Sequence, residues 1–104
     1  MPTSAPANPT PPATLREAFR ARMRAKHYAR STESCYWGWI REFCRHHPGT
    51  HPRDLDAPHI EAFLSHLATA RHVSASTQNQ ALAAVLFLYR EVYDRKFPWL
   101  DNIT

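Results

Sequence analysis

The sequence predicts an all-α domain, and three observations support this fold class. The 104 residues contain only two glycines. No segment alternates polar and apolar residues as a half-buried strand does. Four segments instead repeat apolar residues at spacings of three and four, which is the period of a helix with one buried face. The chain length allows one domain at most.

The first helix is predicted over residues 15–27, behind a proline-rich tail. Residues 1–14 hold five of the nine prolines and no charged side chain. Such a segment cannot bury enough apolar surface to offset the entropy lost on ordering, so we expect disorder there. Thr14 and Glu17 have the spacing of a capping box, which would start the helix at Leu15.

The second helix is predicted over residues 32–46, with Ser31 or Thr32 as its N-cap. It should end at Pro48 and Gly49, since proline cannot continue a helix and glycine permits the turn. Its core-facing stripe follows helical spacing and comprises Tyr36, Trp39, Ile40, Phe43 and His47.

The third and fourth helices are predicted over residues 57–71 and from Ser74 or Ser76 to about Tyr93. Asp56 should cap the third helix. The fourth is almost wholly apolar from residue 81 to 89, so it should be the most buried element. Its first turns, residues 74–80, are polar apart from one alanine.

Metal binding and catalysis have little support in the sequence. Cys44 and His47 have a ligand-like spacing, with His46 and His51 nearby, but no second ligand pair accompanies them. No serine lies in a glycine-flanked elbow, and no glycine-rich phosphate loop is present. We therefore expect no catalytic residue, no metal and no cofactor in this chain.

The two cysteines, Cys35 and Cys44, lie in one predicted helix. Nine residues of helix separate them by about 13.5 Å, which is too far for a disulfide. Free thiols are consistent with a reducing cytoplasm.

Nucleic-acid binding is the function that the charge pattern favours. The chain carries a net charge of +4, and the basic excess is concentrated in residues 15–30. Two predicted helix N-termini, near Thr32 and Ser76, offer free N–H groups and partial positive charge to phosphates. Candidate phosphate-binding cations are Arg22, Arg24, Lys26 and Arg30. Hydroxyl and amide candidates are Thr32, Ser74, Ser76, Thr77, Gln78, Asn79 and Gln80, the amides being of the type that reads adenine edges. Alternatively, the hydroxyls only cap helices and the amides and cations are merely solvated.

Four motifs resemble the N-terminal part of integron integrases, which are tyrosine recombinases related to Xer-type and phage integrases. The motifs are K-H-Y (26–28), T-E-x-x-Y (32–36), W-I-x-x-F (39–43) and V-S-A-S-T-Q-N-Q-A-L (73–82), and the similarity covers residues 15–103. The resemblance implies a four-helix bundle of two crossed helical hairpins, the SAM-like core-binding fold. It further implies half of a clamp around duplex recombination sites, with the second and fourth helices facing the major groove. The DNA partner would be an attachment site, either a duplex or a folded single strand. The DNA contacts it implies come from Lys26, His27, Thr32, Tyr36, Ser76, Thr77, Asn79 and Gln80.

The resemblance also implies a larger protein. Residues 15–94 would form the core-binding domain, and residues 95–104 would begin a linker to a catalytic domain, so this chain alone would not cut DNA. The whole recombinase would act in the bacterial cytoplasm as a tetramer of protomers on two sites, through a covalent phosphotyrosine and without metal or nucleotide. The His27-x-x-Arg30 spacing matches a catalytic motif of the family, but it falls outside that domain and is read as coincidence.

Two other functions are compatible with the sequence. A helix-turn-helix transcription factor would use the third and fourth helices, although the fourth is too apolar after Gln80 for a long recognition surface. A protein-interaction bundle would expose an aromatic patch of Trp37, Phe97 and Trp99. Gly38, which costs about 1 kcal/mol relative to alanine in mid-helix, is expected to allow close approach by a neighbouring helix or by DNA.

Overall fold

Four α-helices make up most of the chain in the computed structural model, which describes the backbone of residues 11–97 and the side chains of residues 15–97. The helices are α1 (Pro11–Ala25), α2 (Arg30–His46), α3 (Ala57–Thr69) and α4 (Ala75–Phe87). A 3₁₀ turn, Pro52–Asp54, precedes α3, and α4 continues as a π-helical turn, Leu88–Val92. The described residues contain no strand. The all-α prediction is confirmed.

Helix α4 forms the centre of the bundle. It packs against both α2 and α3, and its π-helical continuation packs against α1. Eight of the nine residues from Ala81 to Tyr89 are buried. The chain thus forms two helical hairpins, α1–α2 and α3–α4, joined through a core dominated by α4, and the predicted burial of this helix is confirmed.

The start of α1 differs from the prediction. The helix begins at Pro11, so residues 11–14 are helical and do not belong to a disordered tail. Thr14 lies inside the helix and is not its N-cap. Two prolines occupy the first turn, where their missing N–H groups leave no hydrogen bond unmade. Residues 1–10, for which we also predicted disorder, lie outside the described part of the chain.

The start of α2 also differs. The N-cap position is occupied by Ala29, whose backbone is extended and which makes no side-chain capping bond. Ser31 and Thr32 therefore lie within the first turn, and neither caps the helix. The hydroxyl of Thr32 remains half-exposed there.

The caps of α3 and α4 are confirmed. The Asp56 carboxylate accepts a hydrogen bond of 2.8 Å from the N–H of Ala57, and His59 Nδ1 accepts one of 2.9 Å from the N–H of Asp56. Ser74 Oγ accepts from the N–H of Thr77 at 3.1 Å. Helix α3 ends at Thr69, two residues earlier than predicted.

The segment after the π-helical turn packs onto the domain. The Arg95 guanidinium donates to the carbonyl oxygens of Arg53 at 3.1 Å and Leu55 at 2.9 Å. Phe97 is only 3% exposed and lies 5.4 Å from the Tyr89 ring, centroid to centroid. Residues 95–97, predicted as the start of a linker, therefore pack against the folded domain.

The same contacts rule out the predicted aromatic patch. Phe97 is buried, and Trp37 is half-buried against Phe19 of α1 with ring centroids 5.5 Å apart. Trp99 lies outside the described residues. Trp37 is nevertheless accessible on one side, and that surface is considered below.

Gly38 lies in the middle of α2 with open space around it. A Cβ added there would meet no atom within 4 Å. The predicted close approach of a neighbouring helix to this glycine is therefore wrong. We expect Gly38→Ala to raise the free energy of unfolding by about 1 kcal/mol, because alanine lowers the entropy of the unfolded chain. Thermal unfolding should shift upward by roughly 4–8 °C for a domain of this size.

Gly49 supplies the matched control for this prediction. Its φ of +86° lies in the left-handed region, where a Cβ is strained. Gly49→Ala should therefore lower the thermal midpoint. A lower midpoint for Gly38→Ala would show that its surroundings are not open.

A histidine cluster joins the end of α2 to α3. The His46 ring lies 4.8 Å from the rings of both His47 and His66, and His47 Nε2 lies 2.9 Å from the carbonyl oxygen of His59. His47 closes α2 as a half-buried residue, as predicted. Burial lowers the pKa of His46, and the charges of His47 and His66 lower it further.

This cluster predicts a loss of stability in mild acid. The pKa of His46 in the folded state lies below its ordinary value of 6.5. The stability that neutral His46 contributes is therefore fully present above about pH 6.5 and is lost as the pH falls through the folded-state pKa. The free energy of unfolding, measured with urea, should fall more between about pH 7.5 and about pH 5.5 for the wild type than for His46→Gln. The exposed His72→Asn should keep the wild-type difference. An equal difference in all three proteins would contradict a role for His46.

Candidate nucleic-acid interface

The first turns of α4 present polar side chains to solvent. Ser76, Asn79 and Gln80 are exposed, and Thr77 is half-buried, its Oγ1 accepting a hydrogen bond of 3.0 Å from Ser74 Oγ. This polar end contrasts with the buried remainder of the helix. Four of the predicted DNA-binding residues therefore lie together on one accessible helix end.

Gln78 differs from its two amide neighbours. Its Nε2 donates a hydrogen bond of 2.9 Å to the carbonyl oxygen of Leu64 in α3. The side chain is thus engaged in joining α3 to α4. Of the three consecutive amides that the sequence offered for base contacts, only Asn79 and Gln80 face solvent.

Trp39 connects the polar start of α4 to α2. Its Nε1 donates to Oε1 of Gln80 at 3.4 Å, and the indole is half-buried. The sequence placed Trp39 in the core stripe, so this contact was missed. The available signal was the indole N–H, which needs an acceptor and therefore favours a position at the edge of a core.

The N-terminal half of α2 carries Arg30, Thr32 and Tyr36, and the Tyr36 ring lies near Phe87, at the opposite end of α4 from its polar start. Arg30 is exposed at the first position of the helix. The Tyr36 ring lies 6.1 Å from that of Tyr28 and 6.2 Å from that of Phe87. Burial raises the pKa of the Tyr36 phenol, the charges of Tyr28 and Cys35 add to this, and Arg90 opposes it. The phenol is therefore neutral near pH 7.

His27 occupies the turn between α1 and α2. It is exposed and has a φ of +63°, an uncommon conformation for a residue with a Cβ. The turn lets Tyr28 pack inward, 5.4 Å from the Phe87 ring. His27 is thus held at the surface beside the start of α2.

Glu91 gathers three cations at the end of the bundle where α1 ends. Its carboxylate lies 3.1 Å from Arg22 Nη2, 3.4 Å from Lys26 Nζ and 3.3 Å from Arg90 Nε. Burial alone would raise the pKa of Glu91, but hydrogen bonds from Arg22 and Arg90 and the charge of Lys26 bring it below its usual value. Glu91 is therefore ionised in the folded domain at neutral pH.

Glu33 binds the other two basic residues of this end. It is 7% exposed and its carboxylate lies 3.3 Å from Arg20 Nε and 3.4 Å from Arg24 Nε. The sequence did not reveal the ion pairs of Glu33 and Glu91. Arg22 and Glu91, for example, are 69 residues apart. Arg22, Arg24 and Lys26, predicted as free phosphate ligands, are thus ion-paired in the isolated domain.

The two clusters remain basic overall, with five cations around two carboxylates. The five cationic side chains are 39–51% exposed, whereas both carboxylates are only 10% exposed. The cations therefore stay paired with the carboxylates and still present N–H groups to solvent. The clusters suit a polyanion through their charge, and the start of α4 offers exposed hydroxyl and amide groups.

Other chemistry finds little support on this surface. No group of three or more His, Cys, Asp or Glu side chains is arranged to hold a metal ion within the part of the chain that the structure describes. Both cysteines are free thiols, as predicted. None of the described helices is long and apolar enough to cross a bilayer.

Fold and surface together define a small all-α domain with basic clusters around Glu33 and Glu91 and an exposed polar start of α4. Comparison with family models matches residues 15–99 to the phage integrase N-terminal SAM-like domain, and the chain belongs to this family. It is also 44% identical over 100 residues to proteins named "Integrase/recombinase" from Escherichia coli and from Pseudomonas aeruginosa. The family predicted from the resemblance is therefore confirmed.

These relatives are much longer than the chain. The alignment covers 96% of this chain but 30% of each relative. The chain therefore corresponds to less than a third of an integrase or recombinase.

Proposed function

We propose that this chain is the DNA-binding clamp domain of a site-specific tyrosine recombinase of the integron-integrase type, which positions the enzyme on recombination-site DNA. The observation that carries the proposal is the accessible polar start of α4. Ser76, Asn79 and Gln80 face solvent on a helix whose remaining residues form the core. Membership of the integrase family supports the same function.

The contacts divide into two kinds. Arg22, Arg24, Lys26 and Arg30 contact phosphates and release counterions, while hydroxyls at the start of α4 and α2 fix the register on the backbone. Asn79 and Gln80 reach base edges in the major groove. Glu33 and Glu91 hold Arg22, Arg24 and Lys26 in place, and the exposed N–H groups of these cations reach the phosphates.

A helix-turn-helix transcription factor fits this surface less well. The α3–α4 turn is short, but α4 is buried from Ala81 onward except at one position. Only its first turns can enter a groove, and the family that the chain matches is an integrase domain family. The clamp therefore remains the better-supported function.

The remainder of the recombinase would supply the chemistry. In this proposal the domain itself cuts no DNA, and it holds no metal or nucleotide cofactor. Protomers assemble as a tetramer around two attachment sites, each contributing one such clamp. The protein acts in the bacterial cytoplasm, bound to nucleoid DNA.

The experiment that tests base readout is Asn79→Ala. A preferred duplex is first selected from a randomised pool with the wild-type domain. We expect Asn79→Ala to weaken binding to that duplex by about tenfold, because one good amide–base pair is worth roughly 1–3 kcal/mol. Binding to a shuffled duplex should change by less than about twofold, since it depends on phosphates.

Gln78→Ala is the matched control, because its amide faces α3 instead of solvent. It should lower stability slightly and leave the preference for the selected duplex intact. Equal losses on the selected and shuffled duplexes for Asn79→Ala would contradict base readout by α4.

A further inference from the structure

A groove runs between α1 and α2 on the flank of α2 that faces away from α4. It consists of two adjoining cavities of about 550 and 240 Å³, and Trp37 and Arg41 line both. We call this surface the α1–α2 groove. Trp37 packs on α1, whereas Trp39 bonds to Gln80 of α4, so the groove and the candidate DNA face use different sides of α2.

The floor of the α1–α2 groove is apolar. Leu15, Trp37, Cys44 and Pro52 line it. Burial raises the pKa of the Cys44 thiol to about 11, so this side chain is uncharged at neutral pH. The volume of the larger cavity is within the range of sites that bind an apolar group of a ligand.

The rim is basic. Arg16, Arg20, Arg41 and Arg45 surround the floor. Arg20 is paired with Glu33, the one acidic residue of the lining. No carboxylate among the described residues lies within salt-bridge distance of Arg41 or Arg45, and both are exposed. The rim thus has unneutralised positive charge beside an unfilled apolar surface.

We propose that the α1–α2 groove docks an acidic, amphipathic segment of a partner protein. Apolar side chains of that segment fill the floor beside Trp37, and its carboxylates pair with Arg41 and Arg45. Helix-in-groove recognition uses this combination of apolar anchors and flanking charge. Nucleic acid fits less well, because a phosphate backbone leaves an apolar floor of this depth unfilled.

The chain itself does not supply the complementary segment. Residues 1–10 contain no acidic side chain, and residues 98–104 contain only Asp101. A second copy is also a poor match, because its net charge of +4 has the same sign as the rim. Charge complementarity therefore points to an acidic segment outside these 104 residues, which we assign to a partner protein.

The test uses two fluorescein-labelled peptides of about 14 residues with leucine at helical spacing. One carries glutamate at all other positions and the other carries lysine. Fluorescence anisotropy should show that the glutamate peptide binds about tenfold more tightly than the lysine peptide, or better. In nitrogen-15 NMR spectra, this peptide should shift the Trp37 indole signal, assigned with Trp37→Phe, and leave that of Trp39 in place.

Two charge-matched double variants separate this groove from the DNA face. Arg41→Glu with Arg45→Glu should weaken binding of the glutamate peptide by about tenfold and should weaken binding of a DNA duplex much less. Lys26→Glu with Arg30→Glu should do the reverse. All four positions are exposed, but Lys26 pairs with Glu91 at 3.4 Å, so circular dichroism is recorded for both variants and binding is compared at conditions where both are folded.

Three outcomes would overturn the proposal. Equal binding of the glutamate and lysine peptides would remove the role of the basic rim. A greater loss of DNA affinity in the Arg41–Arg45 variant than in the Lys26–Arg30 variant would make the groove a nucleic-acid surface. A dimer in sedimentation that the Arg41–Arg45 variant abolishes would make a second copy the occupant.

Discussion

Phe43→Ala is expected to lower the free energy of unfolding by about 4 kcal/mol, because truncation of a buried phenylalanine removes apolar contacts and leaves a cavity. Phe43 is fully buried. Its ring lies 5.5 Å from that of Phe63 in α3 and 6.2 Å from that of Tyr89 beyond α4. The side chain therefore connects three elements. Since small domains have a total stability of roughly 5–15 kcal/mol, urea unfolding should show a protein close to the threshold of folding.

Phe43→Leu is the conservative control. Leucine refills much of the volume of the phenylalanine ring. The decrease in the free energy of unfolding should therefore be less than half of that caused by Phe43→Ala. Cys35→Ala, at a half-buried position of the same helix, should cost less still. A loss below about 1 kcal/mol for Phe43→Ala would contradict the central position of this residue in the core.

Lys26→Glu with Arg30→Glu is expected to weaken DNA binding by about 10² at roughly 100 mM salt, because two phosphate contacts are replaced by repulsion. The two residues flank the turn that joins α1 to α2, and both are exposed. Anisotropy titrations over a salt series should show the slope of log affinity against log salt reduced by about two.

The Arg41–Arg45 double variant has the same change in net charge and is the control for this prediction. It tests whether the effect is local, since a general loss of positive charge would weaken DNA equally in both variants. An unchanged salt slope in the Lys26–Arg30 variant would show that these cations do not contact phosphates.

The helices could be predicted from the sequence because their signals are local. The stripe of α2 and the apolar body of α4 each lie within one segment, and Asp56 and Ser74 cap the helices that follow them. The start of α1 could not be placed, since two prolines are compatible both with an extended tail and with a first helical turn. Likewise, Phe97 follows a break in periodicity, and only the tertiary contacts with Tyr89 make it part of the core.

The candidate DNA face was predictable in composition but not in pairing. The exposed end of α4 follows from a run of polar residues beside an apolar one. The partners of Arg22, Arg24 and Lys26 depend on how α1 packs against Glu33 and Glu91, and no sequence pattern encodes that arrangement. Gln78 and Trp39 show the same limit, because each was assigned by helical position while its hydrogen-bond partner lies on another helix.

The two proposals use different sides of α2. Trp39 on one side bonds to Gln80 at the polar start of α4. Trp37 and Arg41 on the other side line the α1–α2 groove. If both proposals hold, the domain can bind DNA and an acidic segment at the same time.

Salt-dependent DNA binding by the wild-type domain tests the central claim most directly. A labelled recombination half-site and a shuffled duplex are each titrated at about 50 and 200 mM salt, with anisotropy as the readout. Several phosphate contacts predict an affinity that falls by ~10² or more between these conditions, with tighter binding to the half-site at both. Binding that does not respond to salt, or no binding at about 50 mM while the glutamate peptide binds, would contradict the clamp function.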